Sequence, residues 1–178
     1  MEQTTSALLQ RLSESATIAM ARKARELKDQ GIDVISLSLG EPDFDTPAEM
    51  KQAGIDAIHA NDTHYTPVPG TPQVRNAIVK KFKRDNGLEY TPDQVVVSTG
   101  AKQSLANVVL SLVDPGDEVI LPAPFWVSYE EIVKVAGGVP VVIPTRIEDD
   151  YKIQPSELEA AITPKTRLVM YSSPCNPS

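Results

Sequence analysis

The most constraining feature of this sequence is the stretch from Val95 to Leu112, which reads VVVSTGAKQSLANVVLSL. A β-branched run of valines (95–97) meets a turn of small residues (98–101), and a helix-compatible segment follows. Apolar residues in that segment recur at offsets of 0, 3, 4 and 7, the spacing of one helical face; they are Leu105, Val108, Val109 and Leu112. The stretch therefore predicts a strand, a tight turn and a helix, in that order.

A helix that begins at such a turn favours an anion. Its first backbone N–H groups have no partner within the helix, and the helix dipole attracts negative charge to the same end. Small residues let a phosphate approach closely, and the hydroxyls of Ser98 and Thr99 add donors. Most such turns in α/β proteins bind nothing. On the residues alone, a phosphate site and a purely structural turn both stay open.

Beyond residue 95, predicted strands alternate with predicted helices. The strands are Glu118–Leu121, Val139–Ile143 and Arg167–Ser172, and the helices are Val127–Ala136 and Pro155–Ile162. Strands joined through helices pair in parallel by right-handed crossovers. The sequence therefore predicts an α/β fold with a mostly parallel sheet and flanking helices.

The part of the chain before residue 95 predicts three helices and one strand. These are a helix through Thr17–Leu27 ended by Gly31, a strand at Val34–Leu39, a helix capped by Thr46, and a helix from Thr71-Pro72 to Gly87. In the helix capped by Thr46, Glu49 would complete a capping box, and Met50, Ala53, Ala57 and Ile58 would form a buried face.

Charge and composition exclude several classes of partner. The net charge is −7 without any basic block, which argues against nucleic acid and anionic membranes. No apolar run approaches the roughly 20 residues that a spanning helix needs, and the N-terminus does not resemble a secretory signal. The single cysteine, Cys175, fits a reducing compartment. We expect a cytoplasmic protein.

The predicted strands place three loops at one edge of the sheet. In open α/β sheets, ligands bind at the carboxyl ends of the strands. Here that edge gathers the turn at 98–101, the loop at 122–126 and the tail at Asn176, which together bring hydroxyls, an indole and an amide. The final strand has no crossover helix after it, so we expect the chain to be a piece of a longer protein.

Six motifs follow one another along the chain: SLGEPDFDTP (38–47), YTPVPGTPQVR (65–75), STGAKQ (98–103), DPGDEVI (114–120), PFWVSY (124–129) and SSPCNPS (172–178). With these motifs the sequence resembles the class I/II aminotransferases, fold type I enzymes that use pyridoxal 5'-phosphate, and within them the bacterial aspartate aminotransferase subgroup. The resemblance implies transfer of an amino group between an amino acid, aspartate-like in this subgroup, and a 2-oxo acid.

The resemblance also implies a cofactor site. Gly100, Ala101 and Lys102 match the turn that binds the cofactor phosphate through backbone amides. Trp126 matches the aromatic residue that stacks on the pyridine ring, and Asn176 matches the asparagine that hydrogen-bonds the 3-hydroxyl of the ring. The residues alone leave Trp126 open as a core side chain and Asn176 as an ordinary turn residue.

Substrate and dimer contacts follow from the same resemblance. The implied substrate-binding residues are Gly40, Trp126, Asn176, Ser15, Thr17 and Lys102. Of these, Ser15, Thr17 and Lys102 match positions near the distal carboxylate of an acidic substrate, although Lys102 alone also reads as a solvated charge. Tyr65 matches a tyrosine that reaches the cofactor phosphate of the neighbouring subunit, which implies a homodimer, although a packed or surface aromatic stays open for it.

Part of the catalytic apparatus of the family lies beyond the last residue. The Schiff-base lysine, the acid that pairs with the pyridine nitrogen and the arginine for the substrate α-carboxylate all follow position 178 in the family, so no residue here is assigned as catalytic. The resemblance divides the chain into an N-terminal arm with part of the small domain (1–45) and an incomplete cofactor-binding large domain (46–178). We expect the chain alone to be inactive.

Two other functional classes stay open. A fold type I lyase or cyclase shares the same cofactor motifs, and a non-catalytic chain could bind phosphate compounds or a partner. His59 and His64 have no carboxylate or cysteine at ligand spacing, so we interpret both as surface residues and expect no metal site.

Overall fold

The computed structural model describes residues 5–37 and 39–176 of the 178-residue chain. The chain divides into two compact units. Residues Met1–Gly40 and Leu105–Ser178 form the first, here called the sheet unit, and Glu41–Ser104 form the second, the helical unit. Among the described residues, no helix is both long and apolar enough to cross a membrane.

The described residues form six α-helices and three strands. The helices are α1 (Ala16–Asp29), α2 (Ala48–His59), α3 (Pro72–Asn86), α4 (Ala101–Leu112), α5 (Ser128–Val135) and α6 (Pro155–Ala161). The strands are β1 (Glu118–Ala123), β2 (Val139–Pro144) and β3 (Thr166–Val169). Short 3-10 turns lie at Leu9–Arg11, Pro92–Gln94 and Ile147–Asp149.

The three strands form one parallel sheet in the order β2-β1-β3. Glu118 at the start of β1 is aligned with Val139 of β2 and with Thr166 of β3. Helix α5 connects β1 to β2, and α6 connects β2 to β3. The predicted α/β class and the predicted parallel pairing are confirmed.

The core of the sheet unit lies where α4 and α5 pack on one face of the sheet. Its buried members are Val109, Val113, Val119, Leu121, Tyr129, Ile132, Val133 and Met170. Ile120, which alternates with two of them along β1, is also completely buried. The sequence of a central parallel strand that is buried on both faces is a nearly continuous apolar run, as it is in β1.

The predicted apolar face of α4 is only half correct. Leu105 packs against the core and Val109 is buried, as expected. However, Val108 and Leu112 are 51% and 43% exposed, and Val113 just beyond the helix is buried instead. The apolar spacing predicted α4 correctly. Which side of α4 is covered depends on its packing against the core of the sheet unit, which the spacing does not show.

The predicted helices α1 and α3 are confirmed with their ends. Gly31 follows α1 with φ +79°, and Gly87 ends α3 with φ +66°. At the start of α3, the Thr71 side chain accepts a hydrogen bond from the Val74 amide at 3.4 Å. The local capping signals of these two helices were therefore sufficient to place them.

The prediction for α2 is correct in position and wrong in two details. Its N-cap is Pro47 rather than Thr46, without a side-chain capping bond. None of its residues is buried, and Met50 and Ile58 are each 65% exposed. An apolar stripe identifies a helix but does not by itself supply the surface that covers it.

Two predicted strands do not form. The described residues in 34–39 belong to no strand, and Ile35 and Leu37 are 85% and 92% exposed, while Ser38 lies outside the described residues. Val95 is buried with extended backbone angles, yet the valine run that it begins is not part of a sheet. A strand requires a neighbouring strand for its ladder, and a local sequence pattern does not reveal whether one is present.

Candidate functional site

The turn before α4 is closed by its own hydrogen bonds. The Gly100 amide donates to the Ser98 carbonyl at 2.9 Å, and the Thr99 amide donates to Oε1 of Gln103. The Gly100 carbonyl accepts from the amides of Gln103 and Ser104 at 3.2 and 3.4 Å, which begins the helix. The turn is therefore set in place before any ligand binds, with the amide-rich end of α4 facing outward.

Gly100 leaves open space beside this turn. Its φ of +85° favours glycine, and a Cβ added there would meet no atom within 4 Å. Ser98 is half-buried, whereas Thr99 and the residues that follow to Gln103 are exposed. An anion could thus approach the backbone of the turn directly, with the helix dipole in its favour.

The loop that carries Tyr65 is tied to the same part of the helical unit. The Val97 amide donates to the Pro69 carbonyl at 3.0 Å, and Gly70 packs directly on the Val97 side chain. Tyr65 itself is fully exposed. The helical unit therefore contains the phosphate-turn candidates Gly100, Ala101 and Lys102 together with Tyr65.

In the sheet unit, the loops after β1 and β3 meet at the carboxyl edge, which confirms two of the three loops predicted there; the third, the turn at 98–101, belongs to the helical unit. The Cys175 thiol donates a hydrogen bond to the Pro124 carbonyl at 3.3 Å, which joins the two loops. Trp126 lies two residues beyond Pro124, and Asn176 follows the cysteine. The two residues that the resemblance assigned to the cofactor ring therefore belong to loops that the fold brings together.

Aromatic packing holds Trp126. The indole is half-buried against the core and contacts Tyr129 edge-to-face, with ring centroids 5.8 Å apart at 89°. The Trp126 carbonyl accepts a hydrogen bond from the Tyr129 amide at 2.9 Å, which fixes the entry into α5. Asn176 is exposed. Trp126 thus has the packing role that its residue type suggested, and its orientation is set by that packing.

The other predicted substrate residues of the sheet unit lie in its N-terminal part. Ser15 is the N-cap residue of α1 but makes no side-chain capping bond, and both Ser15 and Thr17 are half-buried. Gly40 is exposed, and a Cβ there would meet nothing within 4 Å. The packing inside the unit therefore does not explain why position 40 is a glycine.

A cavity of about 640 Å³ in the sheet unit was not predicted. It lies at the carboxyl end of the sheet on the side of α6, and its apolar lining includes Pro122, Leu158, Val169 and Tyr171. Val169 and Tyr171 are 42% and 68% exposed, on either side of buried Met170. All three residues are apolar, so the sequence contains no alternation that would have revealed this face. The cavity contains none of the predicted site residues, so we interpret it as a partly uncovered face of the sheet.

A cluster of charged side chains on α5, here called the Glu131 cluster, consists of Glu130, Glu131 and Lys134, and the pKa values of Glu131 and Lys134 are shifted. Burial pushes the pKa of the Glu131 carboxyl upward, but the Ser13 amide and the Lys134 ammonium outweigh it and hold that pKa below its ordinary value. Hydrogen bonds to Glu130 and then Glu131 raise the pKa of Lys134, against the effect of burial. Among residues 5–37 and 39–176, no group of three or more His, Cys, Asp or Glu side chains could hold a metal ion.

The model of one protein family matches most of the chain. It is the family described as aminotransferase class I and II, and the match covers residues 32–178. The chain therefore belongs to the class I and II aminotransferase family.

Curated relatives agree with this assignment. A probable aspartate/prephenate aminotransferase of Rhizobium leguminosarum bv. phaseoli is 52% identical over 170 residues, which cover 96% of this chain and 42% of the relative. An aspartate/prephenate aminotransferase of Nitrosomonas europaea is also 52% identical over 170 residues, covering 96% of this chain and 43% of the relative. The chain thus spans about two fifths of the length of these relatives.

Solved structures share the fold. The aspartate aminotransferase of Rhizobium meliloti superposes with a TM-score of 0.93 at 45% identity, covering 98% of this chain and 44% of that one. The Thermus thermophilus aspartate aminotransferase solved with maleate gives a TM-score of 0.93 at 45% identity, covering 98% and 46%. The fold is therefore that of the N-terminal part of a fold type I aminotransferase.

Proposed function

We propose that this chain is the N-terminal part of an aminotransferase that moves an amino group between an aspartate-like amino acid and a 2-oxo acid, with pyridoxal 5'-phosphate as cofactor. The observation that carries the proposal is the 52% identity, over 96% of the chain, to proteins named aspartate/prephenate aminotransferases. Cytoplasmic location belongs to the same proposal.

The residues of the turn before α4 fit the phosphate of this cofactor. Gly100 leaves space for an anion, and the first turn of α4 from Ala101 supplies backbone donors and a favourable dipole. We assign Gly100, Ala101 and Lys102 to the phosphate. When bound, the cofactor supplies an electron sink for the bonds around the amino-acid α-carbon.

Trp126 and Asn176 fit the ring of the cofactor. The edge-to-face contact with Tyr129 holds the indole in one orientation, so stacking on a ligand would require little further ordering of this side chain. Asn176 offers an amide that hydrogen-bonds the 3-hydroxyl of the ring and the substrate carboxylate. Its exposed position at the carboxyl edge is compatible with that role.

The substrate residues of the proposal are Gly40, Trp126, Asn176, Ser15, Thr17 and Lys102. Ser15 has a hydroxyl that is not used for capping α1, and Thr17 lies one half-turn further on. We assign Ser15, Thr17 and Lys102 to the distal carboxylate of a dicarboxylic substrate. The relative that was solved with maleate, itself a dicarboxylate, supports this class of ligand.

Tyr65 supports a homodimeric enzyme. It is fully exposed on a proline-rich loop that the Val97–Pro69 hydrogen bond holds in place. We propose that Tyr65 reaches the cofactor phosphate of a second subunit, so that each site needs both subunits.

The proposal divides the chemistry between this chain and the remainder of the enzyme. Residues 1–45 are assigned to the N-terminal arm and part of the small domain, and residues 46–178 to an incomplete large domain. None of the lysines present is assigned to the covalent bond with the cofactor. The chain alone is therefore proposed to be inactive.

The test is a chimera in which residues 1–178 are followed by the remaining part of the Rhizobium leguminosarum relative. We expect this protein to bind pyridoxal 5'-phosphate with a visible absorption band, and aspartate to bleach that band. Transfer of the amino group to 2-oxoglutarate is then measured directly. A folded chimera that takes up no cofactor would contradict the proposal.

The same chimera distinguishes the alternative chemistries. If it eliminates a thiol from a cystathionine-like substrate faster than it transaminates aspartate, the chain belongs to a lyase rather than to an aminotransferase. The 178-residue chain, assayed alone beside it, tests the proposed inactivity. Turnover by the chain alone would overturn that part.

A further inference from the structure

A hydrogen bond joins the N-terminal segment to α5. The Ser13 amide donates to Oε2 of Glu131 at 3.0 Å, and the two residues lie 118 positions apart in the sequence. Glu131 is held by its helix, because Tyr129, Ile132 and Val133 around it are buried in the core of the sheet unit. The acceptor therefore has a fixed position.

Lys134 orients the acceptor. Its Nζ lies 3.0 Å from Oε1 of Glu131 and 2.8 Å from Oε1 of Glu130, so one ammonium pairs with both carboxylates. The side chains of Glu131 and Lys134 are each only 26% exposed. With Oε1 held by Lys134, Oε2 is directed to the Ser13 amide. The lowered pKa of Glu131 is consistent with this double contact.

Glu14, the residue after Ser13, joins this part of the N-terminal segment to α1. Arg22 donates to both carboxylate oxygens of Glu14, at 2.8 and 3.3 Å. The Ser15 carbonyl then accepts the first helical bond, from the Ala19 amide at 3.0 Å. None of the residues of α1 is buried. Ser13, through Glu131, and Glu14, through Arg22, thus hold the start of α1.

We propose that Glu131 is a positioning residue: by accepting the Ser13 amide, it fixes the start of α1 and with it Ser15 and Thr17. The consequence for the substrate rests on the proposed function, in which these two residues recognise the distal carboxylate. Glu131 touches no substrate itself in this account, and acts through the backbone of the N-terminal segment.

Limited proteolysis of the 178-residue chain tests the anchor. Trypsin cleaves after Arg11, which lies two residues before Ser13, and cleavage at Lys152 in a separate exposed loop serves as the internal reference. Glu131→Ala is expected to accelerate cleavage at Arg11 by about tenfold without a change at Lys152, because a hydrogen bond to a charged group is lost. Equal acceleration at both bonds, or none at Arg11, would overturn the proposal.

The neighbouring carboxylate supplies a matched control. Glu130→Ala removes the other partner of Lys134 from the same helix but leaves the Ser13 contact, so cleavage at Arg11 is expected to change by less than about twofold. Glu131→Gln keeps an acceptor oxygen and is expected to restore most of the protection. Acceleration by Glu130→Ala as large as that by Glu131→Ala would show a general charge effect and overturn the specific role.

Kinetics of the chimera test the consequence for the substrate. Glu131→Ala is expected to raise KM for aspartate by about fivefold, the effect of about one weakened hydrogen bond, with kcat unchanged. Alanine, which lacks a distal carboxylate, serves as the comparison donor and its KM is expected to stay the same. Equal effects on both donors overturn the positioning of Ser15 and Thr17. If the chimera with Glu131 intact does not transaminate, the proposed function is contradicted instead. The proteolysis then tests the hydrogen bond between Ser13 and Glu131 independently.

Discussion

The amide of Val97 donates a hydrogen bond to the carbonyl of Pro69, with 3.0 Å between nitrogen and oxygen. This bond joins the proline-rich loop that carries Tyr65 to the run that leads into the turn before α4. Gly70 lies at the contact, with φ +99°. Within the helical unit, this backbone contact and the glycine beside it hold two predicted binding elements together.

Gly70→Ala is expected to destabilise the helical unit strongly. A Cβ at this position would lie 2.8 Å from Cγ2 and 2.9 Å from Cβ of Val97, and the backbone angle disfavours any side chain. Strain and overpacking together predict a loss of about 2–4 kcal/mol in the free energy of unfolding. Denaturant titration followed by circular dichroism measures it. Gly54→Ala, in α2 with no atom within 4 Å, is the control and is expected to stabilise by about 0.5–1 kcal/mol.

Gly138→Ala is expected to disturb the core of the sheet unit. The added Cβ would lie 2.7 Å from Cγ1 of Val113 and 3.0 Å from Cγ1 of Val133. Overpacking of this kind costs about 1–3 kcal/mol of stability. Val113→Ala removes the nearer methyl group, so the double variant is expected to be about 1 kcal/mol more stable than the sum of the single effects. Strict additivity in thermal unfolding would contradict the proposed clash.

Gly100→Ala is expected to separate binding from folding. No atom lies within 4 Å of the added Cβ, so only the backbone angle opposes the change, at about 1–2 kcal/mol. The methyl group would occupy the space proposed for the phosphate, and the affinity of the chimera for pyridoxal 5'-phosphate is expected to fall by tenfold or more, as for one lost charge-assisted hydrogen bond. Gly100→Asn, which tolerates the left-handed region, should refold well but bind equally poorly. Unchanged affinity for pyridoxal 5'-phosphate in both variants would contradict the assignment of the phosphate to this turn.

The Glu131 cluster predicts a defined pH dependence. Because the pKa of Glu131 is lowered in the folded chain, its contribution to stability is present above its ordinary value of about 4.3 and is lost as pH falls through the lower folded value. The pKa of Lys134 is raised, so its contribution is present below about 10.4 and is lost as pH rises through the higher folded value.

The measurement for this prediction is the difference in unfolding free energy between the unaltered chain and Glu131→Gln. This difference is expected to be constant from about pH 5 to pH 10 and to shrink on the acid side, since that is the range in which both groups are charged. A difference that grows toward low pH would contradict the assignment of the lowered pKa to Glu131.

Local signals in the sequence were sufficient to predict elements that are bounded by capping or turn residues. The threonine cap and terminal glycine placed α3, and apolar runs between turn residues placed β1 and β2. The valine run at 95–97 was wrong as a strand, because pairing depends on a partner that the pattern does not contain. The predicted buried face of α2 was wrong for a related reason, since none of the residues of this helix is buried among the described residues.

The candidate site was predictable in part. Strand order places the loops after β1 and β3 together, and the bond from Cys175 to Pro124 confirms that meeting. The contact between Ser13 and Glu131 was not predictable, because a hydrogen bond from a backbone amide across 118 positions leaves no periodic trace in a sequence. The roles of the individual site residues stay predictions.

The strand order β2-β1-β3 also suggests a sequence of assembly. Of the three described strands, the first in the sequence lies in the middle, and the two later strands pair with it on opposite sides. Pairing of β1 with β2 closes a loop of 21 residues, whereas pairing with β3 closes one of 48. The difference in loop-closure entropy favours the nearer pair by about 0.7 kcal/mol. Among the described strands, the pair that is nearer in the sequence is therefore the one that chain entropy favours to form first.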